Sequence, residues 1–424
     1  MLSKEHFIFL RILKSAISNT PYDIAVGQTD TDTAVDLGKI LRLGRIHKVM
    51  PMVCDTIYRS PGINTDPIYK HAEKEAVRAV AGQVIRSAQF SDLYLFLSER
   101  GLRPIVVKGI IVRQLYPRSH FRESVDEDLW IEQEKTADYY KAFRDYGLDE
   151  STCDTPDSED AIRSFVHSQT QLNIDIHTFS SAADAEQPEY LNRVFEHTAD
   201  VEINGVQFHT LQPEDHLFYL IMHAFKHFLH SGFGIRQVCD IVLYAEHARN
   251  EIDWKTLAEK LKNAKAYEFT LAIFRIGEKY LLNGSHLETL LLIDGIEINP
   301  VNEEPLLMDI LEGGLYGSAS MTRLHSSTVT LQAVKNSSAG HSPFRIICSS
   351  VFLPIDKMRG RYTYLNKMPF LLPAAWLQRV FHYMTELFLF RKESNTALKT
   401  NNAIESIKLG QERLKLLKEY HIID

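Results

Sequence analysis

The chain is predicted to be α+β: a small mixed sheet with its own helices, flanked by N-terminal and C-terminal helical regions. Three observations point there. Apolar residues recur at helical spacing before Arg100 and again after Pro213. Between them lie short runs rich in β-branched residues, and one that alternates strictly, Leu172-Asn173-Ile174-Asp175-Ile176-His177. The pair Asn204-Gly205 separates Val201-Glu202-Ile203 from Val206-Gln207-Phe208, the mark of a tight hairpin. The chain thus divides into regions 1–100, 101–211 and 212–424, and its 424 residues exceed what one small core holds.

In chain order, Phe7, Leu10, Ile12 and Leu13 open a first helix, and Val35, Leu37, Ile40 and Leu41 a second. After Ser60-Pro61-Gly62, one extended amphipathic helix is predicted from about Pro67 to Arg100, with Gly101 as its C-cap. Pro104-Ile105-Val106-Val107 reads as a buried strand ended by Lys108-Gly109, and Ile110 to Tyr116 as a short helix before Pro117. A second strand covers Asp126 to Ile131, and a helix Lys135 to Tyr146 closes at Gly147. Residues Asp149 to Asp160 read as an acidic loop. Arg163–Ser168 and Leu172–Thr178 then pair across Gln169-Thr170-Gln171. Helical spacing returns over Glu214–His230, Ile235–Ala248, Trp254–Lys262 and Tyr267–Leu282. Residues 314–343 read as a Ser/Thr/Gly-rich loop, and Ala397–Tyr420 as a charged amphipathic helix.

Composition excludes several classes. With 45% hydrophobic and 24% charged residues, the chain is neither disordered nor fibrous. A balance of 47 Lys+Arg against 55 Asp+Glu, net −8, disfavours long nucleic acid as a partner. The four cysteines form no CxxC pair and read as isolated thiols in a reducing compartment, so a cytoplasmic location is expected. Gln378, Arg379, His382 and Glu386 break the most apolar stretch, which argues against a membrane span. Arg11 and Lys14 make the N-terminus an amphipathic helix rather than a signal peptide.

The chemistry-bearing residues gather in the middle region. On a strand, Asp126 and Asp128 project to one face, where two carboxylates repel unless a cation lies between them. Mg²⁺ or Mn²⁺ suits such oxygen donors. Taken alone, the pair reads equally as solvated carboxylates at a strand's start. In the alternating run, Asn173, Asp175 and His177 face away from the core, so Asp175 supplies a third carboxylate on a neighbouring strand. Three such groups can hold two metal ions for phosphoryl or nucleotidyl transfer. Lys108-Gly109, at a strand-to-helix junction, offers a backbone approach for phosphate, with Arg122 as a further phosphate contact.

Together these residues resemble the nucleotidyltransferase superfamily that includes DNA polymerase beta and kanamycin nucleotidyltransferase. More narrowly, the chain is similar to the uncharacterised bacterial nucleotidyltransferase family. That family's LKG, LYP, R, DxDL and D-x-H run is matched by Val107-Lys108-Gly109, Leu115-Tyr116-Pro117, Arg122, Asp126-Glu127-Asp128-Leu129 and Asp175-Ile176-His177. The resemblance extends upstream to Gly44–Val49 and downstream to Pro213–His227. Lys108-Gly109 stands where the wider superfamily usually carries Gly-Ser. The resemblance implies a nucleotidyltransferase-type sheet and transfer of an NMP from an NTP to a hydroxyl acceptor, with release of pyrophosphate. It further implies metal on Asp126, Asp128 and Asp175, and phosphates at Lys108, Gly109 and Arg122. The sequence does not name the acceptor: a small molecule, a protein side chain and a nucleic-acid end would all serve, with long nucleic acid the least favoured by the net charge. Two other readings remain open, a catalytically degenerate nucleotide-binding or interaction module and a metal-dependent phosphoester hydrolase.

His216, His223, His227 and His230 fall on one helical face. His223 and His227 have the spacing of paired zinc ligands but lack the glutamate of HExxH, so a polar helix face near the sheet is the alternative. Lys226 or His227 could also reach a phosphate or the acceptor. Trp376, Phe381, Phe388 and Phe390 read as core, and Lys357, Arg359, Arg361 and Lys367 as a solvated basic loop. No nucleophile triad stands out.

Overall fold

The structure, a computed structural model, describes residues 2–22, 35–60, 63–151, 163–179, 197–230, 232–293 and 301–314, with 368–373, 375, 378 and 412–423. Most of the 314–343 loop, the 357–367 basic group, the Trp376–Phe390 aromatics and residues 152–160 of the acidic loop lie outside the described residues. Of the tail helix, 412–419 are described, and they are helical.

Four helices come first: α1 (Lys4–Ser18), α2 (Leu37–Ile46), α3 (Met50–Tyr58) and α4 (Pro67–Ser98). Ser3 and Asp36 cap α1 and α2 by accepting from the backbone N–H groups of His6 and Lys39. The sequence left α3 unread because seven of its nine residues are buried, so no polar stripe marks a face. Helix α4 is the predicted long helix. It starts with Asp66 as N-cap and Pro67 in its first turn, and ends where Gly101 turns left-handed (φ 73°) and the Leu102 N–H returns to the Leu97 carbonyl.

The sheet follows. Strand β1 (Ile105–Val107) leads into α5 (Gly109–Arg113), then β2 (Asp126–Glu132), α6 (Thr136–Tyr146), β3 (Asp149–Ser151), β4 (Arg163–His167) and β5 (Leu172–Phe179). Strand order is β1-β2-β5-β4-β3, with β2 and β5 parallel and the other neighbours antiparallel. The mixed sheet expected from sequence is therefore present. The first three residues of the supposed acidic loop are instead an edge strand: β3 is exposed throughout and pairs with β4. Strands β6 (Thr198–Ile203) and β7 (Val206–Leu211) form a separate hairpin. Asn204 and Gly205 both take positive φ in its turn, which suits the right-handed twist of the two strands.

One face of the sheet carries Leu129, Ile131, Ile174 and Ile176, packed with Phe90, Leu93 and Leu97 of α4 and Tyr139 and Phe143 of α6. Burying each large apolar side chain is worth about 1.5–3 kcal/mol, so this layer fixes which way the strands face. The opposite face of β2 and β5 is left to polar residues. Helices α7 (Pro213–His230), α8 (Ile235–His247), α9 (Trp254–Asn263) and α10 (Tyr267–Ile276) come next, and a π-helical turn over Gly277–Leu281 extends α10. Helices α11 (Leu287–Leu291) and α12 (Glu304–Gly313) are shorter or lie later in the chain.

The chain forms two compact units, one of Met1–Ala224 with Ile235–Glu304, the other of Phe225–Gly234 with Pro305–Asp424. The first contains the sheet with Lys108, Gly109, Arg122, Asp126, Asp128 and Asp175. In the second, Phe228 meets Phe233 edge-on, and the buried Arg413 guanidinium donates to the Phe228 carbonyl. Among the described residues, no helix is long and apolar enough to cross a membrane.

Candidate active site

The polar face of the sheet is built by register. Strands β2 and β5 set Asp126 opposite Asn173, Asp128 opposite Asp175, and Trp130 opposite His177. Paired residues of adjacent strands point to the same side, so the three carboxylates singled out from sequence share one face. Their mutual repulsion is visible in Asp175. Burial raises its carboxyl above the ordinary value, and Asp126 and Asp128 raise it further, although Ser164 Oγ donates to it at 2.6 Å.

Asp128 behaves in the opposite way. Burial alone would raise it, but the Lys108 ammonium 2.8 Å away and the His177 Nε2 hydrogen bond at 3.2 Å hold it well below the usual carboxylate range. His177 in turn stacks on Trp130, with ring centroids 4.8 Å apart. Trp130 Nε1 donates to the Tyr219 hydroxyl of α7 at 3.2 Å. The half-buried Asp126 carboxylate has no hydrogen bond or ion pair among the described residues.

Lys108 stands at the bend between β1 and α5 with φ 58° and ψ −130°, a conformation costly for a residue with a Cβ. Its neighbours hold it there. The Lys108 N–H donates to His216 Nε2 at 3.3 Å, which requires that nitrogen to be unprotonated. The His216 proton then belongs on Nδ1, facing Thr210 Oγ1 at 3.4 Å, and the Thr210 hydroxyl itself donates to the Val106 carbonyl. Burial, with the Lys108 charge nearby, pushes the His216 ring down to about 3, so it is neutral at physiological pH.

Gly109 packs against a carboxylate of the chain itself. A Cβ placed there would lie 1.8 Å from Glu127 Oε2. The Glu127 carboxylate, on the buried side of β2, accepts from the Ile110 N–H at 2.8 Å and from Arg113 Nη2 at 2.5 Å. Arg113 also donates to Ser87 Oγ of α4. The start of α5 is therefore engaged by a carboxylate of the chain itself. The middle residue of the Asp-Glu-Asp run faces the buried side of β2, while its two neighbours lie on the polar face.

Arg122 has an engagement other than the expected one. Buried to 3% exposure, it donates from Nε and Nη2 to Asp240 of α8 at 3.0 and 2.7 Å, and from Nη1 to Ser124 Oγ. Burial opposes its charge, yet Asp240 keeps the guanidinium firmly protonated, and Asp240 is held below the usual carboxylate range despite its own burial. The Tyr116 hydroxyl completes the group at 2.7 Å from Asp240. Arg122 thus ties the approach to β2 onto α8.

The histidine face of α7 divides by residue. His216 supports the Lys108 backbone, and His223 Nε2 lies 3.0 Å from Lys108 Nζ. His227 is half-buried and Lys226 exposed, while the His230 side chain is outside the described residues. Among the described residues, no three His, Cys, Asp or Glu side chains form a ready-made metal cage. The donor chemistry nonetheless fits a hard divalent ion. Three carboxylates share a face, and two sit directly opposite each other. Of the residues that line this face, His177 stood in the D-x-H run and His223 in the histidine series of α7, whereas Trp130 and Tyr219 carried no signal as site residues.

Residues 33–281, more than half of the chain, match the family described as uncharacterised nucleotidyltransferase. No functionally curated protein matches. Among solved structures, an antigenic nucleotidyltransferase-like protein from Paracoccidioides brasiliensis is similar, at 17% identity and a TM-score of 0.31. That match covers 47% of this chain and 94% of the fungal one. On the family match, the chain belongs to the uncharacterised nucleotidyltransferase family.

Proposed function

We propose that the chain is a metal-dependent nucleotidyltransferase that moves an NMP from an NTP to a hydroxyl acceptor. The observation that carries this reading is the direct pairing of Asp128 with Asp175 across parallel strands, with Asp126 on the same face. Mg²⁺ or Mn²⁺ held by Asp126, Asp128 and Asp175 would neutralise the triphosphate and make its α-phosphorus more electrophilic.

The chain's own groups supply the rest. Asp175, directly opposite Asp128 on the neighbouring strand, is placed to take the proton of the acceptor hydroxyl. The acceptor oxygen then bonds to the α-phosphorus, the bond from that phosphorus to the bridging oxygen breaks, and pyrophosphate carries away the electron pair. Lys108, paired with Asp128, would supply positive charge to the phosphates, and His216 and the Gly109–Glu127 contact hold its backbone in position. Arg122 acts at a distance, by fixing the segment that leads into β2. The net charge of −8 favours a small-molecule or protein acceptor over long nucleic acid.

NTPs labelled at the α- or γ-phosphate, offered with a pool of small hydroxyl compounds, test the reading. Transfer predicts α-label in a new covalent product and γ-label in pyrophosphate, both lost in Asp128→Ala while the melting curve stays cooperative. Orthophosphate or a free nucleotide without acceptor product would point to a hydrolase. Retained transfer in Asp128→Ala would remove the metal role.

A further inference from the structure

The carboxylate face carries a cation of its own. Lys108 Nζ lies 2.8 Å from Asp128 Oδ2, 3.0 Å from His223 Nε2 and 6.0 Å from the centre of the Tyr219 ring. An ammonium only donates, so His223 Nε2 presents a lone pair to it. The ion pair is enclosed, with side-chain exposures of 13% for Lys108 and 8% for Asp128. Its backbone has little room to retreat, since its N–H is held by His216 and the next residue is pressed against Glu127.

A divalent ion bound to Asp128 needs carboxylate oxygens at about 2.1 Å, and it would meet the ammonium at close range. Two positive charges enclosed in this way repel strongly. Resting on the reading proposed above, we propose that Lys108 is the resident counter-ion of the carboxylate cluster. It yields its place to the divalent metal only when a triphosphate arrives to receive the ammonium, and His223 is the positioning residue about which it moves. Metal and nucleotide therefore enter together. Lys108 opposes metal alone and favours the triphosphate, whereas a lysine that served only as a phosphate ligand would leave metal binding unaffected.

The test is Mn²⁺ binding to the full chain, read from the electron paramagnetic resonance signal of the free aqua ion. It is measured alone and with a mixture of the four α,β-methylene NTPs. Lys108→Met and Lys108→Gly remove the ammonium, and the glycine also relieves the left-handed backbone, so one of them keeps the fold, as a melting curve verifies. Lys108→Arg keeps a charge. Without nucleotide, the Met and Gly variants are expected to bind Mn²⁺ about tenfold or more tightly than wild type and Lys108→Arg. With the analogues, wild type gains affinity for Mn²⁺ and the two uncharged variants gain far less. Equal or weaker Mn²⁺ binding by Lys108→Met and Lys108→Gly overturns the exchange. If wild type still binds Mn²⁺ with the analogues, and Asp126→Ala does not, the transferase reading survives that result. Absence of Mn²⁺ binding in every protein under both conditions overturns both.

Discussion

Gly109 joins the local conformation of the site to its buried support. Its φ of 35° and the 1.8 Å that a Cβ would leave to Glu127 Oε2 allow no side chain. Gly109→Ala is expected to lose about 1–3 kcal/mol in urea denaturation, through strain and displacement of Glu127. His216 gives a pH signature. Its ring is depressed from 6.5 to about 3 in the folded chain, so the unfolded chain binds more protons between those values. The stability this neutral ring contributes is complete above pH 6.5 and falls away as the pH drops towards 3, a loss of roughly a few kcal/mol. His216→Gln, whose side-chain oxygen can still accept from the Lys108 N–H, should flatten the stability profile between pH 6.5 and 4. An unchanged slope would assign the acid sensitivity elsewhere. Neither residue's role was legible in the sequence. The contact of Gly109 with Glu127 was not legible because Glu127 read only as part of the acidic run. His216 had no visible partner because Lys108 is 108 residues away.

At the scale of elements, alternation carried most of the information. Leu172, Ile174 and Ile176 are buried as expected, and the residues between them lie on the polar face because a strand must put successive side chains on opposite sides. The Asn204-Gly205 hairpin, the Gly101 and Gly147 caps and the extent of α4 were equally local, and each was readable. What lacked a local signal was missed. Helix α3 is buried almost throughout, and β3 is a strand through its pairing with β4 rather than through its own residues. Arg122 belongs to this class, since its partner Asp240 lies 118 residues further on. Removing one member of such a buried pair strands the other charge. Arg122→Met should therefore cost about 3–5 kcal/mol of stability, measured by chemical denaturation. A cost below about 1 kcal/mol would mean that the pair is not what anchors the approach to β2.

For the molecule as a whole, the family match indicates a nucleotidyltransferase, and the proposal above places its chemistry at the three carboxylates. Thermal denaturation of wild type and Asp126→Ala, with each of the four NTPs and with or without Mg²⁺ or Mn²⁺, decides whether that place is the donor site. Asp126 is the right residue to remove because, unlike Asp128, its carboxylate holds no hydrogen bond or ion pair among the described residues. A nucleotide at about 100 times its dissociation constant adds roughly 2.7 kcal/mol, a readable rise in melting temperature. The expected result is a metal-dependent rise with at least one NTP, lost in Asp126→Ala. An equal rise in the variant, or none with any NTP and metal, would contradict assignment of the donor site to this face.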